Sequence, residues 1–296
     1  MSIVKSSPDA SGNPVKLFFQ EYGTGKPVIF IHGWPLNHEM WEYQLMELPK
    51  YNLRCIAYDR RGFGKSSRQW EKYDYDTLAE DLKAVIDTLN LEDVTLVGFS
   101  MGGGEIARYI GNYGTDRISK VVLISAVTPY MLKTEDNPEG VDKKNFDEMV
   151  EKLKADRPAF LAGFAKKFYG VNMITHPVSQ EILDWNQAQC LNSSAKATID
   201  CVRSFSATDF REDVTKIDVP TLIIHGDEDK TVPIAVSGDK TAALLPHATY
   251  LRYDNAPHGL FITEREKLNT DLINFINGQG SSIRTTQEQE QSYRTL

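Results

Sequence analysis

Four short apolar runs recur in the first 124 positions, and each stops at a turn residue or a residue able to do chemistry. Val28–Ile31 runs into His32-Gly33, Arg54–Tyr58 into Asp59, Val94–Val97 into Gly98, and Val121–Ile124 into Ser125-Ala126. Runs this short, rich in β-branched residues and without strict alternation, suit strands buried on both faces, the condition of a parallel sheet. Between the second and third runs, Leu78, Leu82, Val85, Ile86 and Leu89 recur at helical spacing with charged residues between them. Strand and helix in alternation imply right-handed crossovers and a doubly wound, mostly parallel α/β sheet.

The alternation breaks after Ala126. Residues 128–210 contain no strand run and read as helices over Phe146–Lys154, Ala159–Phe168, Ile182–Gln189 and Ala195–Phe205. Turn material such as Asn137-Pro138-Glu139-Gly140 and His176-Pro177 separates them. The sheet pattern resumes at Thr221–Ile224 and Ala248–Tyr253, and Leu268–Ile276 reads as a closing helix. The expected organisation is a core of residues 1–127 and 211–278, a helical cap over 128–210, and a disordered tail over 279–296. Open α/β sheets bind ligands at the carboxyl ends of their strands, so the insertion is placed to act as a lid.

Composition narrows the class. Lys and Arg number 33 against 41 Asp and Glu, a formal charge of −8. With no basic run, that balance argues against nucleic acid or an anionic membrane surface as the partner. No apolar stretch reaches the ~18 residues of a transmembrane helix, and residues 1–12 lack the apolar core of a signal peptide. Cys55, Cys190 and Cys201 are spaced for neither a disulfide framework nor a C-x-x-C site, so free thiols in a reducing cytoplasm are expected.

Gly98-Phe99-Ser100-Met101-Gly102 has the form G-x-S-x-G. Alone it is weak, since average Gly and Ser usage produces one by chance in about one chain in ten of this length. Its position between a strand run and a helical stretch through Ile106, Ala107 and Ile110 is that of a nucleophile elbow. Such a serine needs a base. His258, in the loop Asn255-Ala256-Pro257-His258-Gly259 after the last strand, is the candidate. His247 precedes that strand at the opposite end of the sheet, and His225 suits a structural hydrogen bond in its turn. The base needs a carboxylate to orient it. In His225-Gly226-Asp227-Glu228-Asp229, Asp229 lies further into the loop and is preferred; Asp227 is the second candidate, better placed to tie the turn down. The chain order Ser100, Asp229, His258 is the one such an elbow leads to expect. A developing oxyanion needs fixed donors: the N–H of Met101, and that of Trp34 in His32-Gly33-Trp34-Pro35, since Pro35 has none. The Trp34 side chain could equally serve core packing.

Asp59-Arg60-Arg61-Gly62-Phe63-Gly64-Lys65-Ser66 resembles a phosphate loop only in part, because Asp59 stands where the first glycine is required. A turn tied by Arg and Asp is the better reading. No His, Cys, Asp or Glu cluster has metal-ligand spacing, so no metal is expected.

Taken together, the segments His32–Pro35, Asp59–Gly64, Gly98–Glu105 and Ala256–Gly259 resemble an α/β-hydrolase from about Val15 to Gly278. They are similar in particular to the aryl esterases and cofactor-free haloperoxidases, or perhydrolases. Gly102-Gly103-Gly104-Glu105 and the stretch from Lys133-Thr134 to Asn137-Pro138 strengthen that likeness. The resemblance implies a carboxylesterase with a small acyl pocket under a helical cap. It also implies a second activity in which hydrogen peroxide replaces water and releases a peracid that oxidises halide. Pro35, directly after the oxyanion residue, looks like a mark of the better perhydrolases of that family. The matching pocket residues would be Trp34, Met101, Val127, Met131, Phe164, Phe168, Thr231 and Val232, although Phe164 and Phe168 could simply pack the lid on the core. A small ester is the implied partner, with a homo-oligomer left open. Lactonases or amidases would use the same residues, and a ligand receptor on this scaffold is the non-enzymatic rival. Dehalogenases and epoxide hydrolases of similar fold need an aspartate at the elbow, where this chain has Ser100.

Overall fold

The structure, a computed structural model, describes residues 2–9 and 11–278. Eight strands, β1 (Ile3–Pro8), β2 (Pro14–Tyr22), β3 (Lys26–Ile31), β4 (Leu53–Tyr58), β5 (Val94–Phe99), β6 (Ile118–Ile124), β7 (Thr221–Gly226) and β8 (Thr249–Tyr253), form one sheet. Their order is β1-β2-β4-β3-β5-β6-β7-β8. β2 runs antiparallel to β1 and β4, and every later pairing is parallel. Each strand expected from an apolar run is present. The amino-terminal hairpin is additional. β2 alternates buried Val15, Leu17 and Phe19 with more exposed positions, and β1 buries only Val4 and Ser6, so neither makes a continuous apolar run.

Helices α1 (Glu42–Glu47), α2 (Tyr75–Thr88) and α3 (Met101–Tyr113) connect successive strands from β3 to β6. The Asp74 side chain caps α2 by accepting the Thr77 N–H at 2.9 Å. From there the helix buries Leu78, Leu82, Val85 and Ile86, as the periodicity requires. Between β6 and β7 lie α4 (Lys143–Phe168), α5 (Gln180–Leu191), α6 (Ala195–Ala207) and α7 (Arg211–Thr215). The two helices expected at 146–154 and 159–168 are one bent element. Asp156 takes non-helical angles (φ −154°, ψ 86°), and its carboxylate caps the second half through the Ala159 N–H at 3.0 Å. Pro158 then falls in a first turn, where a missing N–H is harmless. Helices α8 (Gly238–Leu244), α9 (Leu260–Thr263) and α10 (Arg265–Asn277) close the chain around β7 and β8.

The parallel register brings Ile31, Tyr58, Gly98 and Leu123 level with one another, and Ile124 level with Ile224. His32, Asp59, Ser100, Ser125, Asp227 and Asp254 therefore all emerge at one edge of the sheet. The cysteines are unpaired and buried, and burial pushes each thiol up to about 12. Among the described residues no helix is long and apolar enough to cross a membrane. The tail expected at 279–296 lies outside the described residues.

Candidate active site

β5 ends at Phe99 and α3 begins at Met101, so Ser100 alone makes the turn. Its backbone sits at φ 53°, ψ −115°, a conformation costing an L-residue about 1–3 kcal/mol. Neighbouring hydrogen bonds hold it there. The Ser100 N–H donates to Ile124 at 2.8 Å, and its carbonyl accepts from Gly103 at 3.0 Å and Val127 at 3.2 Å. The two flanking glycines are required by close approach. A Cβ on Gly98 would lie 2.6 Å from the Gly102 carbonyl oxygen, and one on Gly102 would lie 2.5 Å from that of Ile31. The Ser100 hydroxyl makes no helix-capping bond and points instead at a histidine.

That histidine is His258, whose Nε2 lies 3.0 Å from Ser100 Oγ. Its Nδ1 lies 2.5 Å from Asp229 Oδ2. The imidazole is buried between the rings of Phe99 and Phe168, at centroid distances of 4.8 and 4.9 Å. Asp229 Oδ1 accepts the N–H groups of Thr231 and Val232 at 2.9 and 2.8 Å. Burial acts to raise the Asp229 pKa, but the neighbouring His258 and His225 outweigh it and hold the carboxyl well below the usual carboxylate range. Asp227 instead ties the turn, accepting the Asn255 N–H at 2.6 Å.

His225 makes the structural bond expected of it, and something more. Its Nε2 lies 2.9 Å from the Val232 carbonyl and 3.3 Å from Asp229 Oδ2. Both are acceptors, so the proton sits on Nε2. Asp229 thus faces two histidines, a contact that spacing alone could not have distinguished from a simple turn.

The Trp34 and Met101 N–H groups have no acceptor among the described residues. The Trp34 side chain packs as well: its indole donates to the Thr198 carbonyl at 2.9 Å, and its ring meets Phe164 and Phe205. The packing reading thus holds for the side chain, while the oxyanion reading concerns only the backbone N–H. The Trp34–Pro35 peptide is cis.

Ser100 and His258 open into a cavity of about 840 Å³, within the range of small-molecule sites. Of the residues expected at an acyl pocket, Trp34, Val127, Met131, Phe164, Thr231 and Val232 line it. Phe168 does not. It lies beneath the cavity floor, edge-on to His258 and packed on Phe99 and Phe261, because its helix turns it inward where Phe164 faces the cavity. Met101 is buried and also outside the lining, so only its backbone bears on the site.

A buried ion pair braces both sides of the elbow. Arg60 Nε donates to Glu105 Oε2 at 2.8 Å, and Arg60 Nη2 donates to the His32 carbonyl at 2.8 Å. Tyr58 donates to Glu105 Oε1. The pair links the loop bearing Trp34 to the helix that starts at Met101. Burial pushes Glu105 well up and Arg60 down. His32 is held well below its usual value by burial and by Arg60, so its neutral ring accepts the Arg60 N–H at Nε2 (3.0 Å). An acidic residue on the apolar face of α3 was the sequence signal for this pair. The turn at 59–66 is tied as expected, with Asp59 accepting from His38 and Lys65 and Arg61 gripping Asp81 through two bonds. Replacing Glu105 with alanine strands a buried guanidinium and is expected to cost about 3–5 kcal/mol. Urea unfolding should show this as a lower midpoint at constant slope. Arg60→Met with Glu105→Leu should cost less than Glu105→Ala alone; a larger loss would mean that the charges themselves stabilise the fold.

Among the described residues no three His, Cys, Asp or Glu side chains gather in a way that could hold a metal. The family profile described as the alpha/beta hydrolase fold matches residues 26–265. A non-heme chloroperoxidase, CPO-A1 of Kitasatospora aureofaciens, is 42% identical over 89% of this chain and 96% of its own length. A bifunctional esterase/perhydrolase, DCH of Acinetobacter calcoaceticus, is also 42% identical, over 88% of this chain and 96% of its own. The crystal structure of a bromoperoxidase from Bacillus anthracis, 45% identical, superposes with a TM-score of 0.89 over 93% of this chain and all of the other. The eight-stranded sheet, the serine elbow and these likenesses agree: the chain belongs to the α/β-hydrolase family, within the group that holds the non-heme haloperoxidases and esterase/perhydrolases.

Proposed function

We propose that this protein is a serine hydrolase of small aryl and alkyl carboxylic esters that works through an acyl-enzyme, and that it accepts hydrogen peroxide in place of water. The observation that carries this reading is the continuous hydrogen-bonded line Asp229–His258–Ser100, with steps of 2.5 and 3.0 Å, opening into an apolar cavity. His258 Nε2 takes the Ser100 proton as Oγ attacks the ester carbonyl, while Asp229 accepts the Nδ1–H and stabilises the imidazolium. The Trp34 and Met101 N–H groups meet the oxyanion, a role worth about 10²–10³ in rate for each donor. Collapse expels the alcohol, which leaves with the proton from Nε2. Water or peroxide then gives a proton to Nε2 and attacks the acyl carbonyl. Ser100 leaves and recovers that proton, and the product is an acid or a peracid. In solution a peracid and a halide ion exchange one oxygen, giving carboxylate and hypohalous acid.

Helices within residues 128–210 act as the cap, since Phe164 and Phe205 supply cavity wall. A small molecule as partner fits the cavity volume, and the charge of −8 fits nucleic acid poorly. A cytoplasmic setting fits the three unpaired, buried thiols.

The test is p-nitrophenyl acetate turnover with and without hydrogen peroxide, with peracetic acid measured by bromide oxidation. Saturable nitrophenol release is expected, with peracid formed only when ester and peroxide are both present. Turnover of lactones but not of open esters would move the same machinery to lactone hydrolysis. Tight ligand binding without multiple turnover would replace the enzyme reading with a receptor.

A further inference from the structure

The outer wall of the catalytic cavity carries charges that ester hydrolysis does not use. Lys152 and Lys167, on the two halves of α4, line the same cavity as Ser100 and His258. Three other lysines of this helix, all outside the cavity lining, have acidic partners one turn away, whereas Lys166, also outside it, has none among the described residues. Lys143 meets Asp147 at 2.7 Å, Lys144 meets Glu148 at 3.7 Å, and Lys154 meets Glu151 at 2.7 Å. Lys152 and Lys167 form no ion pair or side-chain hydrogen bond among the described residues.

Their neighbours explain this. Four residues before Lys152 stands Glu148, engaged by Lys144, and four after it stands Asp156, whose carboxylate caps the second half of α4. Around Lys167 the positions one turn away are Gly163, Phe164, Gly170 and Val171, none of them acidic. The remaining charges on the cavity wall, the Glu148 carboxylate among them, each have an ion-pair partner. Asp142 lies 3.6 Å from Lys133, and Lys230 lies 3.2 Å from Glu228. Among the described residues, two exposed ammonium groups without an ion pair are left on the wall of an apolar cleft, in a molecule of net charge −8. A lysine stem can lie along apolar wall while its head stays in water, and low-dielectric walls concentrate the field of such charges.

Resting on the ester-hydrolase reading above, we infer that Lys152 and Lys167 form a subsite for an anionic group on the substrate, selecting esters whose acyl chain ends in a carboxylate. The chain would lie along Val127, Met131 and Phe164, with the scissile carbonyl at Ser100 and the carboxylate at the lysines. An exposed ion pair changes binding about two- to fivefold, so the two together give a preference of about four- to twenty-fivefold.

The test compares kcat/KM for the p-nitrophenyl monoesters of adipic and suberic acid with the same esters bearing a terminal primary amide in place of the carboxyl. Uncatalysed and Ser100→Ala rates are subtracted. The expected result is at least about a fourfold preference for the carboxylate at low salt, shrinking as ionic strength rises and the charges are screened. In the double variant Lys152→Gln, Lys167→Gln the ratio should fall to near one, and in Lys152→Glu, Lys167→Glu it should invert. Equal use of both esters, or a preference that survives in the double variants, overturns the subsite while leaving ester hydrolysis intact. Absence of Ser100-dependent turnover on both esters overturns the hydrolase reading and the subsite with it.

Discussion

Ser100→Ala is expected to lower kcat for ester hydrolysis by about 10⁶-fold, the scale on which removing a triad nucleophile acts. The size follows from the geometry. Ser100 Oγ is the hydroxyl that faces His258 Nε2 at 3.0 Å, so without it the acyl-enzyme route closes. Residual catalysis would come from the Trp34 and Met101 donors and from binding alone, about 10³–10⁴ over the uncatalysed rate. Stability should change little or rise, because the strained backbone at φ 53° is retained and a buried hydroxyl is removed. Initial rates on p-nitrophenyl acetate, beside a urea unfolding curve, check both parts. A folded variant that keeps more than about one part in a hundred of the parent rate would take Ser100 out of the mechanism. Perhydrolysis should fall in parallel, since water and peroxide meet the same acyl-enzyme.

Asp229→Asn should lower kcat by about 10⁴-fold with little change in KM. Its carboxylate serves two sides at once. Oδ1 accepts two backbone N–H groups and Oδ2 accepts from His258. An amide has one acceptor oxygen, and the backbone donors cannot turn away. The asparagine oxygen would stay with Thr231 and Val232, presenting its NH₂ to His258 Nδ1. The ring would then carry its proton on Nε2 and could not take one from Ser100. Asp227→Asn keeps the acceptor oxygen that ties Asn255 and should stay within a few-fold of the parent. A reversed pair of results would make Asp227 the orienting group. The same substitution bears on acid stability. A carboxyl held below its unfolded pKa contributes stability above about pH 4 that is lost as pH falls towards the folded value. Asp229→Asn should therefore be less stable at neutral pH and show a flatter decline on acidification.

Much of the fold was legible because its signals are local. Val28–Ile31, Val94–Val97 and Val121–Ile124 declare buried strands within four residues each, and the spacing of Leu78, Leu82, Val85 and Ile86 declares a helix face. The hairpin of β1 and β2 escaped that reading because backbone pairing at a sheet edge needs only Val4, Val15, Leu17 and Phe19 on one face. The break in α4 was legible as two helices, but its joining through Asp156 depends on the cap contact with Ala159.

The sequence by itself determined where the elbow lies, which residue types flank it, and the order in which strands feed the sheet. Those features rest on glycine sterics and on apolar periodicity over a few neighbouring positions. Only the tertiary structure decided which groups meet. His258 reaches Ser100 across 158 positions and Asp229 across 29, because parallel register carries their strand ends to one edge. It also turned Phe168 beneath His258 while leaving Phe164 in the cavity wall, set Arg60 against Glu105, and left Lys152 and Lys167 on the cavity wall with no ion pair among the described residues. Each of those outcomes depends on which face of an element packs against a distant one, and no short stretch of chain contains that information.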